Sequence, residues 1–285
     1  MITPVWSTLL GALAGGALAT TTAGGVDLPV AQGMFMGAGA GLQAGGIADT
    51  VARVIRQKRF RERLGDLPNA TAKDVKKLEK AFRYLNIPIY KQVGGEPYDN
   101  ACYTTGGMRG GKWKDIKTGK VTDKPANHAV FIGANFNKLP VLAHELGHGH
   151  DFITAKRWYH KPWLPALLSL GTVGGSVAAM IGGASGIADA VGSEWEGRER
   201  SIAPALTAGA GIGLALICAG MRQSITLKNE RAASDKAIMV LKNMATQEKL
   251  DKYRKMLQAA YGTYEPIQVT GSPTFGSGEY AALHA

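Results

Sequence analysis

Two cysteines in 285 residues are too few for a disulfide framework. Cys102 lies in a polar stretch and Cys218 in an apolar one, so the two are not expected to pair. A Cys/His zinc cluster would need more closely grouped ligands. Basic residues are missing from the beginning of the chain: no lysine or arginine precedes Arg53. This leaves no basic region for a secretory signal and no Arg-rich transit peptide. The net charge is +11, yet no nucleic-acid recognition motif accompanies it, so nucleic acid is not an expected partner. Charge of either sign is nearly absent from four stretches, about Val5–Ala23, Val30–Val51, Leu164–Val191 and Ile202–Met221.

Each of these stretches is near the roughly 17–25 residues that cross a bilayer. They are rich in glycine and alanine, and small residues such as Gly11-Gly15 and Gly37-Gly41 at GxxxG spacing let helices approach closely in lipid. The loop near Gly24–Pro29 holds only Asp27, and the loop near Gly192–Ser201 sets Arg198 and Arg200 against Glu194, Glu196 and Glu199. The other basic residues lie between Arg53 and Lys161 or after Met221. Because basic loops stay on the cytoplasmic side, the pattern predicts two membrane hairpins with both polar parts inside. Trp6, Trp158, Tyr159 and Trp163 fall near the expected span ends, where interfacial aromatics sit.

Within the first polar part stands Val141-Leu142-Ala143-His144-Glu145-Leu146-Gly147-His148, an HExxH motif in apolar surroundings. Four residues apart on a helix, His144 and His148 share a face and can present two imidazoles to one metal ion. Glu145 then stands beside the open coordination position, where it can take a proton from a zinc-bound water. Two histidines and a glutamate on a buried helix need partners, and a metal supplies them. The chemistry this predicts is hydrolysis of a peptide bond.

Other signals place the surrounding elements. Thr71-Ala72-Lys73-Asp74 reads as a capping box opening a helix with Val75, Leu78, Phe82 and Leu85 on one face. Pro88 ends it, and Ile87–Tyr90 is extended. Further strands are expected at Asn100–Thr105 and His128–Ile132, with an irregular Gly/Lys-rich loop over Met108–Asn127 between them. Ile225–Met244 and Gln247–Tyr261 read as helices, and the Gly/Ser/Pro-rich tail from Gly262 as irregular.

A catalytic zinc site needs a third protein ligand. His150, two residues past His148, points away on a continuous helix. Asp151 shares the face of the two histidines, but one straight helix rarely wraps three ligands around an ion; Asp151 is instead a group that could steady a histidine. Asp189 and the glutamates of the opposite-side loop follow. Glu230 is the first acid to return to the side of the motif.

Two spans, a soluble segment ending in HExxH, two more spans and a glutamate helix make a layout that resembles the HtpX-like membrane metallopeptidases, relatives of the CAAX prenyl proteases. Leu142–His148 is similar to that family's motif helix, and Ala129–Gly133 to the strand before it. The resemblance covers about residues 1 to 245. It implies Zn²⁺ held by His144, His148 and Glu230. It further implies a substrate-binding edge strand at Asn100, Ala101 and Cys102, where Cys102 replaces the family's Phe. In the Glu-x-x-Ala-Asp pattern, Ala233 matches, but the family's aspartate falls on Ser234, with Asp235 one residue late. Ser234 or Asp235 would then orient a histidine through its second nitrogen.

The expected architecture is mainly α, a four-span membrane protein with a small α+β zincin-like cytoplasmic domain. Its parts are a membrane hairpin (1–52), a soluble part with the edge strand and motif helix (53–162), a second hairpin (163–221), helices carrying the third ligand (222–261) and a tail (262–285). The expected function is zinc-dependent endoproteolysis of polypeptides, membrane proteins above all, at an inner or plasma membrane. A rival of another class is a glycine-rich membrane or virion assembly or pore protein, with the zincin-like part in a structural or processing role. The oligomeric state is left open.

Overall fold

The computed structural model describes residues 51, 54–82, 85–95, 97–106, 108, 111–155, 157, 161, 163–196 and 203–264. The two expected N-terminal spans, Trp6, Trp158, Tyr159, the loop 197–202 with Glu199, and the tail from 265 lie outside these residues, as do the side chains of Glu194 and Glu196. The described chain is mainly helical with one small mixed sheet. It divides into two units, one containing Pro162–Ser224 and the other containing Ile55–Lys161 and Ile225–Glu265.

The second unit begins inside a helical stretch, 54–65, which is followed by helix α1 (Ala72–Ala81). Thr71 opens α1: its hydroxyl accepts from the Asp74 amide at 3.2 Å, and the Asp74 carboxylate accepts from the Thr71 amide at 3.0 Å. This reciprocal cap satisfies two donors that the first turn leaves unpaired. Strands β1 (Ile89–Gly94), β2 (Ala101–Thr104), β3 (Lys112–Asp115), β4 (Val121–Thr122) and β5 (Ala129–Ile132) form a sheet in the order β2-β5-β1-β3-β4. β5 runs parallel to β1 and antiparallel to β2, so β2 is an edge.

Every residue of β5 is buried, and its two-residue period serves two cores. Val130 and Ile132 join the main core with Leu78, Leu142, Leu241 and Leu250. Ala129 and Phe131 face the other way, against Tyr90 and Trp113. There the Trp113 ring stands edge-on to Phe131 at 4.9 Å. Helix α2 (Leu139–Thr154) follows, with Pro140 in its first turn. Its flank Leu142, Ala143 and Leu146 is sealed from solvent. At the end of this unit lies α5 (Gln247–Gly262), which buries Leu250, Tyr253, Met256 and Leu257 on one face.

Among the described residues, the other unit contains α3 (Trp163–Glu196) and the first part of α4 (Ala203–Leu241). Gly175 meets Gly211 and Ala215 closely: a methyl on Gly175 would stand 2.6 Å from the Gly211 carbonyl oxygen. Farther along α3, Gly182 meets Ala208, so the helices run antiparallel. Small residues at the contact let the backbones touch. Their other faces expose Leu170, Val173, Ile181, Leu206 and Ile217. Both helices are long and apolar enough to cross a membrane, with mean hydropathy 1.7 over their most apolar stretches. From Ala203 to Met221, α4 carries no charge. At ~1.5 Å per residue that is about 28 Å, close to the ~30 Å hydrocarbon thickness.

One expectation is corrected. The loop Met108–Asn127 is not wholly irregular: it contains the β3–β4 hairpin. Asp115 makes its turn, the carboxylate accepting from the amides of Lys117 at 2.8 Å and Thr118 at 3.1 Å. Only Trp113 of β3 is fully buried, and one buried residue leaves no period to read. The chain passes from one unit to the other between Ser224 and Ile225, and α4 runs through this point as a single helix. Hydropathy changes at Arg222, but no glycine or proline follows Gly220 until after Leu241, so nothing breaks the backbone.

Candidate metal centre

The site lies within the sheet unit, where α2 meets the C-terminal part of α4. Gly147 makes the meeting possible. A Cβ there would stand 2.6 Å from the Ala233 carbonyl oxygen and 3.0 Å from its Cα. Ala233 and Ala237 are fully buried, and their short side chains let the α4 backbone approach. Glu230 is one turn before Ala233 and Ser234, so the same helical face carries it to the motif.

Among the described residues, His144, His148 and Glu230 form a group able to hold a metal ion, their ligand atoms all within 4.8 Å of one another. The two Nε2 atoms are 3.1 Å apart. Glu230 places Oε2 3.1 Å from His144 Nε2 and Oε1 3.6 Å from His148 Nε2. Metal–ligand bonds of ~2.0–2.2 Å at tetrahedral angles separate ligand atoms by about 3.4 Å. The observed spacings bracket that value, and two imidazoles turning the same nitrogen to one point suit a cation between them. A borderline-soft divalent ion fits two imidazoles and a carboxylate.

The electrostatics point the same way. Burial alone would raise the Glu230 carboxyl, but hydrogen bonds from His144 and His148 and their charges hold it at about 2. Burial disfavours charge on His148, yet the Glu230 hydrogen bond and the charges of Glu145, Glu230 and Asp151 outweigh this and raise its pKa. Three carboxylates around two imidazoles thus favour positive charge at their centre.

Ser234, almost wholly buried, sets its hydroxyl 3.2 Å from His144 Nδ1. Asp235 lies on the exposed side of α4. Asp151 places a carboxylate oxygen 3.2 Å from Arg157 and lines the cleft rather than joining the ligand group. His150 turns away, edge-on to Phe82.

Glu145 is buried beside the ligands, and one of its oxygens accepts a 2.8 Å hydrogen bond from the Tyr103 amide of β2. That amide therefore faces away from β5, and by the alternation of an antiparallel ladder the main-chain groups of Ala101 do too. A cleft of about 330 Å³ runs here, lined by Asn100, Ala101, Cys102 and Tyr103 on the β2 side and Glu145, His148, Asp151 and Phe152 from α2. Asn229, Glu230 and Tyr264 complete it. Burial pushes the Cys102 thiol up, against the Tyr98 hydroxyl that hydrogen-bonds it at 3.1 Å. This suits a packing group rather than a nucleophile.

Four cleft residues escape sequence reasoning. Tyr103 and Asn229 lie beside predicted site residues but carry no pattern of their own. Phe152 is four residues past His148, a signal that helical spacing could have supplied. Tyr264 sits in a stretch that reads as irregular tail, with no signal at all. Comparison of the chain with family models, curated proteins and solved structures finds no match.

Proposed function

We propose that this protein is a membrane-anchored, zinc-dependent endopeptidase of the HtpX-like type. The observation that carries the reading is Glu145. It stands next to three converging metal ligands and is hydrogen-bonded to the free edge of a β-strand. A structural metal site would need the ligands but not a buried carboxylate at that position.

His144, His148 and Glu230 would hold the ion, Ser234 would keep the His144 ring turned toward it, and a fourth coordination position would stay open. Zinc in such a site polarises a carbonyl and brings the pKa of its water to ~7. Glu145 takes the proton of the attacking water and delivers it to the leaving nitrogen. An extended polypeptide adds to β2 as a further strand, through the outward main-chain groups of Ala101 and Tyr103. The Tyr103 amide then exchanges Glu145 for a substrate carbonyl, which frees the carboxylate to act as base. The hairpin α3–α4 keeps this machinery at a bilayer, on the cytoplasmic side by the distribution of basic residues. Membrane proteins are thereby the nearest substrates.

The test is cleavage of an unfolded protein such as casein by the detergent-purified chain, together with its metal content. About one zinc per chain and chelator-sensitive cleavage are expected. A chain that takes up no zinc on reconstitution overturns the reading. One that binds zinc but cleaves nothing favours the assembly or pore protein with a structural site.

A further inference from the structure

The cleft needs a group to receive the charge that builds on the scissile carbonyl oxygen, because peptide hydrolysis passes through a tetrahedral, oxyanionic state. We infer that Tyr264 is that group, its phenol O–H donating a hydrogen bond to the carbonyl oxygen as it becomes negative. This assignment rests on the peptidase reading. The resemblance does not supply it, since Tyr264 lies beyond the 245 or so residues that the resemblance covers.

Tyr264 lines the cleft with Glu145, His148 and Glu230, its phenol close enough to the Glu230 and Glu145 carboxylates to feel their charge. The tyrosine is thus placed beside the ligand group, and as a residue it is 42 % exposed, open to a bound substrate. The other phenol of the cleft, Tyr103, is engaged elsewhere, 3.1 Å from His128 Nδ1. The Tyr103 amide and Glu145 have roles in binding and proton transfer.

The position of Tyr264 is built, not incidental. At the end of α5 the Thr263 amide donates to the Ala260 carbonyl at 3.0 Å, its hydroxyl to the same oxygen at 2.7 Å, and the Tyr264 amide to Tyr261 at 2.9 Å. The Arg56 guanidinium, from the 54–65 helical stretch, donates to the Gly262 carbonyl at 3.0 Å. A cation on the last carbonyls of a helix is a favourable cap, and here it pins the turn that aims the tyrosine.

In the step so assisted, the water oxygen bonds to the carbonyl carbon and the π pair of C=O moves onto oxygen. Glu145 takes the water proton and passes it to nitrogen as the C–N bond breaks. Tyr264 donates throughout and keeps its proton, so no further reactant is required.

The experiment compares wild type with Tyr264→Phe, both as full chains in detergent and loaded with zinc. Three quantities are measured: kcat and KM on casein, zinc affinity by chelator competition, and binding of a phosphonamidate peptide that mimics the tetrahedral state. Loss of one oxyanion donor should lower kcat by about 10²-fold or more. Phosphonamidate binding should weaken by a similar factor, with KM and zinc affinity unchanged. A kcat within about twofold of an active wild type refutes the assignment and leaves the peptidase reading standing. A loss of zinc affinity that matches the loss of kcat also refutes it, making Tyr264 a positioning residue for Glu230. A zinc-loaded wild type that cleaves nothing overturns the peptidase reading and this assignment together.

Discussion

Replacing Gly147 by alanine tests how the candidate metal centre is assembled. The new Cβ would meet the Ala233 carbonyl oxygen at 2.6 Å, where ordinary contacts begin at 3.4 Å. The obstacle is backbone on both sides, so the two helices must part by about 0.8 Å (3.4 minus 2.6). Overpacking of this kind costs about 1–3 kcal/mol, offset in part by alanine's advantage of roughly 1 kcal/mol over glycine within a helix. Net stability should therefore fall by about 0–2 kcal/mol. Metal binding should fall as well. Glu230 rides on α4 while both histidines ride on α2, and a metal site tolerates only ~0.2 Å in its bond lengths. An expected loss of zinc affinity is about 10–100-fold, comparable to losing a group that orients a ligand. Competition with a chromophoric chelator reads the affinity, and thermal unfolding of the metal-free protein reads the stability. A Gly147→Ala chain that binds zinc within about threefold of wild type would refute the idea that this close approach sets the ligand geometry.

Other perturbations separate the roles further. Glu145→Gln should retain zinc while hydrolysis falls about 10²–10⁴-fold, whereas His144→Ala should lose both; near-normal turnover in the first variant contradicts the proton-transfer role. Ser234→Ala should weaken zinc binding by roughly tenfold or more and Ser234→Asp should restore it; equal affinities in all three chains would show that the His144 Nδ1 contact is idle. Thr71→Ala removes the α1 cap and should cost about 1 kcal/mol near neutral pH. The hydrogen bond from Thr71 lowers the Asp74 pKa in the folded state, so its contribution is present above the unfolded value of ~3.9 and fades as pH falls through the lower folded value. The stability difference between the two chains should therefore shrink in acid, and a difference constant from pH 7 to pH 2 would contradict this account. A topology reporter placed in Gly192–Ser201 should report the side opposite to one at the C-terminus; the same side for both would rule out a spanning α4.

What the sequence determined by itself is local. The four-residue spacing of His144 and His148, the Thr71–Asp74 cap and the charge-free runs of α3 and α4 each depend on neighbours within a turn or two, or on composition. Chain order and periodicity therefore suffice to read them. The fully apolar run of β5 was equally legible, since burial on both sides leaves a continuous signal. Only the tertiary structure decided the rest. β3 and β4 are too short to show a period; β3 forms on the edge that β1 offers, and β4 on the edge of β3. α4 continues past Met221 because backbone propensity, unlike hydropathy, does not change there. Glu230 is marked in sequence as an acid on the expected side and by its Glu-x-x-Ala resemblance, but nothing local places it at the motif. The packing of Gly147 on Ala233, eighty-odd residues apart in the chain, is what brings its carboxylate to the two imidazoles. Tyr264 reaches the cleft only through the α5 turn and its Arg56 anchor. Contacts between distant segments follow from which surfaces bury each other, and that is a property of the whole fold rather than of any stretch within it.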